Sequence, residues 1–192
     1  TPTLYVLLRL VFGLILFGFG LALLVWGDFG VSPWEVFHQG ISRRTPISIG
    51  ITIICVGVII ISILLLLKEP LGVGTVANVL IIGLVVDLAL IFLGDKSNTV
   101  LRIFATFFGP IFVGLGSGLY IGTNLGPGPR DGLMTALNRR GLEIWKARTV
   151  IEGSCVITGL LLGGTIGWGT IWFLFSVGPS VQFFLKRLKI DN

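Results

Sequence analysis

LGPGPRDG, residues 125–132, sets three glycines, two prolines, an arginine and an aspartate between long apolar runs. FGVSPWEV, residues 29–36, stands 96 positions earlier with Gly30 and Pro33 in register with Gly126 and Pro129. Both stretches read as the start of a short helix. Ser32 takes the N-cap, Pro33 the first helical position and Glu35 the third, the order of a capping box. Gly128, Pro129 and Asp131 take the same places in the second copy. The helices they open run to about Arg44 and Arg140, some twelve residues each, too short to cross a ~30 Å hydrocarbon core.

Short helices of this kind either lie flat on a membrane surface or dip into the protein. The density of Gly and Pro before each one favours dipping, because close backbone approach is where such residues are needed. Two dipping helices bring unpaired N–H groups and positive dipole ends to one central site. Arg130 adds a fixed positive charge there, while the matching residue in the first copy is Trp34. Glu35 and Asp131 are either simple caps of the helix dipole or groups that meet a ligand or proton.

The surrounding chain is that of an integral membrane protein. Of its 192 residues 12% are charged, about half the ~25% of soluble domains. Apolar runs at 10–26, 47–67, 75–93, 100–121, 149–168 and 169–185 predict six transmembrane helices in a single domain, residues 1–192. Sliding the sequence against itself at an offset of 96 matches Phe12, Gly13, Ile15, Gly18, Gly20, Leu23, Gly30, Pro33, Arg43 and Arg44 with Phe108, Gly109, Ile111, Gly114, Gly116, Leu119, Gly126, Pro129, Arg139 and Arg140. After a slip of one residue, LGVGTV at 71 recurs as IGWGTI at 166, and Gly83 and Asp87 correspond to Gly178 and Gln182. The expected fold is an all-α membrane protein of two inverted three-helix repeats, about 5–95 and 99–188, each with a short half-helix after its first span. An odd number of spans per repeat forces the inversion, and such folds place ligands where the repeats meet.

Asp87 falls well inside the third span, where an ionisable group is costly and usually faces a polar cavity. It is the foremost functional candidate. Asn78, nine residues earlier, points to the other side of a straight helix. Glu152 has Arg148 four residues before it, an i,i+4 pair. Gly18 with Ala22, and Gly114 with Gly118, are small residues four apart that would let the first and fourth spans cross closely. His38 reads as a polar interface residue. Cys55 and Cys155 lie within apolar runs, so neither a disulfide nor a metal site is expected.

Net charge is +5, but the basic residues are spread over loops, which suits anionic lipid headgroups and not nucleic acid. Arg9, Lys68, Arg130, Arg139, Arg140, Lys146, Arg148, Lys186, Arg187 and Lys189 fall on the side of the N-terminus, against Arg43, Arg44, Lys96 and Arg102 opposite. That bias predicts cytoplasmic termini. No cleavable signal peptide is read in the sequence.

The leading functional expectation is a secondary transporter or exporter of a small polar or charged metabolite, a zwitterion or organic anion. Its site would comprise Ser32, Pro33, Glu35, Asn78, Asp87, Gly128, Pro129, Arg130 and Asp131. A passive channel and a non-transporting accessory or scaffold of a biosynthetic or secretion system remain open alternatives, as does homo-oligomer formation. Catalysis is not expected, since no HExxH or GxSxG motif or nucleophile–base pair stands out, and no cofactor is called for. LGPGPRDGL at 125, FGVSPWEVF at 29 and GVGTVANVLIIGLVVD at 72 resemble the YczE/YyaS/YitT family of bacterial membrane proteins, the YczE branch most. That resemblance implies a bacterial inner-membrane location and about this span count. Ser32 and Glu35 depart from the fuller glycine and aspartate pattern.

Overall fold

The computed structural model describes residues 3–188, which form eight helices. They are α1 (Leu4–Gly27), α2 (Pro33–Arg44), α3 (Ile49–Leu66), α4 (Val73–Leu93), α5 (Thr99–Ile121), α6 (Pro129–Asn138), α7 (Ile144–Leu161) and α8 (Trp168–Arg187). Among the described residues, five are long and apolar enough to cross a membrane: α1, α3, α4, α5 and α8. The expected fifth span, 149–168, is redrawn. α7 begins earlier, so that Lys146 and Arg148 join Glu152 within it, and it ends at Leu161 before a turn in which Gly163 has φ 96°. Lys189, counted above among the basic residues, lies outside the described residues.

α1 and α5 form the centre. Their crossing is set by Gly13, Gly20, Gly109 and Gly116, where backbone lies so close that no side chain fits. A Cβ at Gly20 would stand 2.6 Å from the Gly109 carbonyl, and one at Gly116 would stand 2.5 Å from the Gly13 carbonyl. Small residues at a contact are what membrane helices need, because burial against another helix gains little over burial in lipid. The expected assignment of Gly18, Gly114 and Gly118 to this crossing is corrected. Gly18 faces Val85 and Ile82 of α4, while Gly114 and Gly118 face Ser180 and Phe184 of α8.

Several contacts occur twice, at positions 95 or 96 residues apart. The Gly74 N–H donates to the Leu125 carbonyl at 2.8 Å and the Gly169 N–H to the Phe29 carbonyl at 2.9 Å. Gly126 and Gly30 carry φ of 121° and 111°, values open to glycine and strained for other residues. Arg140 donates to the Leu67 carbonyl at 2.8 Å and Arg44 to the Leu162 carbonyl at 3.2 Å, satisfying the last carbonyls of α3 and α7. One pairing is not repeated. α3 packs along α4, whereas α7 and α8 have no comparable contact.

Both short helices turn back within the protein. Arg43, at the C-terminal end of α2, lies 3.6 Å from Asp28 just after α1, so the chain between them goes inward and returns. Arg139, just beyond α6, pairs at 2.7 Å with Glu69, in the connection between α3 and α4. Most of the first turns of α2 is buried, including Pro33, Trp34, Glu35 and Val36. A helix lying flat on the surface would leave a face exposed, which α2 does not do before its last turn; α6 buries Pro129, Gly132, Met134 and Ala136 and exposes Asp131, Thr135 and Asn138.

A charged cavity where two helix N-termini meet

The N-termini of α2 and α6 meet across the molecule. Arg130 of α6 donates to Glu35 Oε1 of α2 at 2.6 Å, and its guanidinium lies 5.1 Å from the Trp34 ring centre. Trp34 and Arg130 are the residues that the repeat aligns with each other, so the sequence difference becomes a cation–π contact. Glu35 has no exposed surface. Its other oxygen accepts from the Ser32 hydroxyl. This modifies the expected capping box: Ser32 and Pro33 do stand at the N-cap and first helical positions, but the Ser32 side chain makes no bond to the helix backbone. A carboxylate fully removed from water needs such partners to remain charged.

Around this pair lies a cavity of about 410 Å³, within the ~300–1,000 Å³ range of small-molecule sites. Ser32, Pro33, Asn78, Gly128, Pro129, Arg130 and Asp131 all line it, seven of the residues read from the sequence. Glu35 sits behind Arg130 and is not part of the wall. Gly128 is small where space is short: a Cβ there would stand 3.1 Å from the Tyr120 hydroxyl and 3.3 Å from the Asn78 amide nitrogen. The rest of the wall is mainly apolar, with Ile53, Ile60, Val79, Ile82, Val113 and Phe173. Arg148 and Glu152 of α7 also reach it, joined at 3.0 Å as the i,i+4 spacing indicates.

Asp87 is set elsewhere. Its carboxylate accepts from the Ser48 hydroxyl and, at 2.8 Å, from the Gly50 N–H, which makes it a cap on the first turn of α3. The expectation that it faces the cavity is corrected, because α4 turns Asn78 toward the cavity and Asp87 toward α3, as nine residues of helix dictate. Two further residues line the cavity: Tyr120, which the sequence reading did not single out, and His38, which it took for a polar interface residue. Tyr120 is buried and lines the cavity beside Gly128. His38 also lines it with 1% exposure. Its Nδ1 is 3.4 Å from Glu35 Oε1 without hydrogen-bond alignment, and neither ring nitrogen has a hydrogen-bond partner. The i,i+3 spacing from Glu35 was the available signal for His38.

The fold and cavity define a helical membrane protein with an internal cavity that carries charged groups. The chain belongs to the family described as "Family of unknown function (DUF6198)", which matches residues 4–186. It is 36% identical over 178 residues to an uncharacterized protein of Haemophilus influenzae, covering 92% of this chain and 82% of that one. It is 30% identical over 178 residues to the uncharacterized membrane protein YczE of Bacillus subtilis, covering 91% and 83%. The likeness to YyaS of the same organism is 25% over 185 residues, covering 92% and 90%. No solved structure matches significantly.

Proposed function

We propose that this protein is a secondary transporter of a polar or charged organic solute, built from two inverted repeats of the bacterial plasma membrane with both termini in the cytoplasm. The observation that carries the reading is the meeting of two short helix N-termini at the charged part of one cavity. Non-spanning helices are tolerated at membrane depth only where protein or a water-filled cavity surrounds them, and N-termini of broken helices supply N–H groups and positive potential for solute binding. The contacts that recur 95 or 96 residues apart support the repeat. Within this scheme α7 takes the membrane position that α3 has in the first half, with Arg148 and Glu152 paired to each other.

The test is flux across proteoliposomes with a panel of amino acids, organic anions and amphiphiles, with and without a pH gradient. Asp131→Asn changes a cavity-lining carboxylate with little disturbance of packing and should abolish or strongly reduce the signal. Saturation and a response to the gradient are expected of a transporter, whereas linear, gradient-insensitive rates indicate a channel. A folded protein silent across the panel would overturn transport and point to an accessory role in a larger membrane assembly.

A further inference from the structure

Gly83 of α4 and Gly178 of α8 occupy matching positions in the two halves. A Cβ at Gly83 would stand 2.5 Å from Ile54 Cγ1 and 2.6 Å from the Gly50 carbonyl, so α3 closes on α4 there. A Cβ at Gly178 would meet nothing within 4 Å, and the same holds for Gly153 of α7. The second half is therefore open where the first is shut. Leu174, Gly178 and Gln182 are cavity-lining and exposed at once, which puts an opening of the cavity on the side of the molecule, between α7 and α8. Leu174 and Gly178 stand in the middle of the span-length helix α8. An opening at that depth faces acyl chains, not the water on either side.

The interior offers both signs of charge beside a largely apolar wall. Asp131 lines the cavity with an exposed side chain and has no cation within 4 Å among the described residues. Next to it are Arg130 and the two helix N-termini. His38 adds two buried ring nitrogens without hydrogen-bond partners. A head group carrying only negative charge would be placed against Asp131, and one carrying only positive charge against Arg130 and the two dipoles. A head group with both signs meets each with its opposite.

We propose that the cavity takes an amphiphile with a zwitterionic head group and an acyl or similarly apolar body, which reaches it from the bilayer through the gap between α7 and α8. This names the substrate class of the same site and rests on the transport reading for its turnover.

The test uses the purified protein in neutral maltoside micelles with added acyl-brominated phosphatidylethanolamine or acyl-brominated phosphatidylglycerol. Bromine quenches nearby indoles, and the Trp34 contribution is the difference between the wild type and Trp34→Phe. The zwitterionic lipid should quench Trp34 at a concentration about fivefold lower than the anionic one, the size of one exposed ion pair. Asp131→Asn should erase that preference, and Gly178→Phe, placed where a side chain meets open space, should slow the onset of quenching severalfold. Equal quenching by both lipids would overturn the head-group assignment. Onset unchanged in Gly178→Phe would overturn the lateral route. Displacement of the lipid by an equal concentration of glycine betaine, which has no chain, would overturn the apolar body, and a dimer in solution with no Trp34 quenching would assign the gap to a second copy. Quenching without flux of any solute would sink the transport reading alone; flux of a chainless solute without quenching would sink this inference alone.

Discussion

Glu35 and Arg130 lie 95 residues apart and meet at 2.6 Å beside the cavity, with the carboxylate fully buried. Removing one member of such a pair strands the other charge, at a cost of about 3–5 kcal/mol, whereas replacing both by apolar residues of similar volume is often neutral. Glu35→Leu and Arg130→Met should therefore each lower the thermal unfolding temperature sharply in detergent, while the double variant recovers most of the loss. Additive losses would show that the two side chains act separately. Asp87 presents the opposite case. Its bonds to Ser48 and Gly50 make it a cap, so Asp87→Asn should cost about 1–2 kcal/mol of stability and leave flux per folded molecule close to wild type. Loss of flux with normal stability would return Asp87 to the transport path. The sequence announces that a carboxylate inside an apolar run needs a partner, but not which one. Ser48 and Gly50 lie 39 and 37 residues away, and both a cavity and a helix end satisfy the same rule.

At the scale of elements, the apolar runs and the Ser-Pro and Gly-Pro starts were enough to place α2 to α6 and α8 to within two residues, and the end of α1 to within one, while its start lies six residues before the expected one. The displacement of α7 has a physical cause. Apolar content continues through Gly163 and Gly164 to Trp168, and hydropathy does not register a turn made of glycines. The glycine contacts were legible only in part, since spacing four apart marks a face without saying which neighbour it meets. The crossing of α1 with α5 uses glycines seven apart, Gly13 with Gly20 and Gly109 with Gly116. Equivalent glycines also carry unequal burdens, which yields a prediction free of chemistry. Gly83→Ala must push α3 from α4 and should destabilise by about 1–3 kcal/mol. Gly178→Ala enters open space and gains helix propensity of at most about 1 kcal/mol. Comparison of their unfolding temperatures checks this, and equal effects would mean that α7 and α8 pack together in the membrane as α3 and α4 do.

For the whole molecule, a single sequence pattern in two copies is folded into two unequal arrangements. In one, Val79 of α4 is buried and packs on Gly57 of α3; in the other, α7 and α8 have no comparable contact and the matching Leu174 is exposed. If the halves are inverted repeats, exchanging their arrangements closes the gap between α7 and α8 and opens its counterpart between α3 and α4, on another flank of the molecule. Such an exchange gives a transporter its second state without new contacts being invented. It can be trapped in a background with Cys55 and Cys155 replaced by alanine. A Cβ at Gly57 would stand 3.2 Å from Val79 Cβ, near the ~3.5–4.5 Å of a disulfide. The pair Gly57→Cys and Val79→Cys should thus cross-link readily on mild oxidation and stop flux, with recovery on reduction. Glu152→Cys and Leu174→Cys should cross-link slowly, only as the protein visits the exchanged state, and faster when solute is present. Full flux through the cross-linked Gly57 and Val79 variant would show that α3 and α4 stay together throughout the cycle, and solute would then have to enter and leave through the gap between α7 and α8 alone.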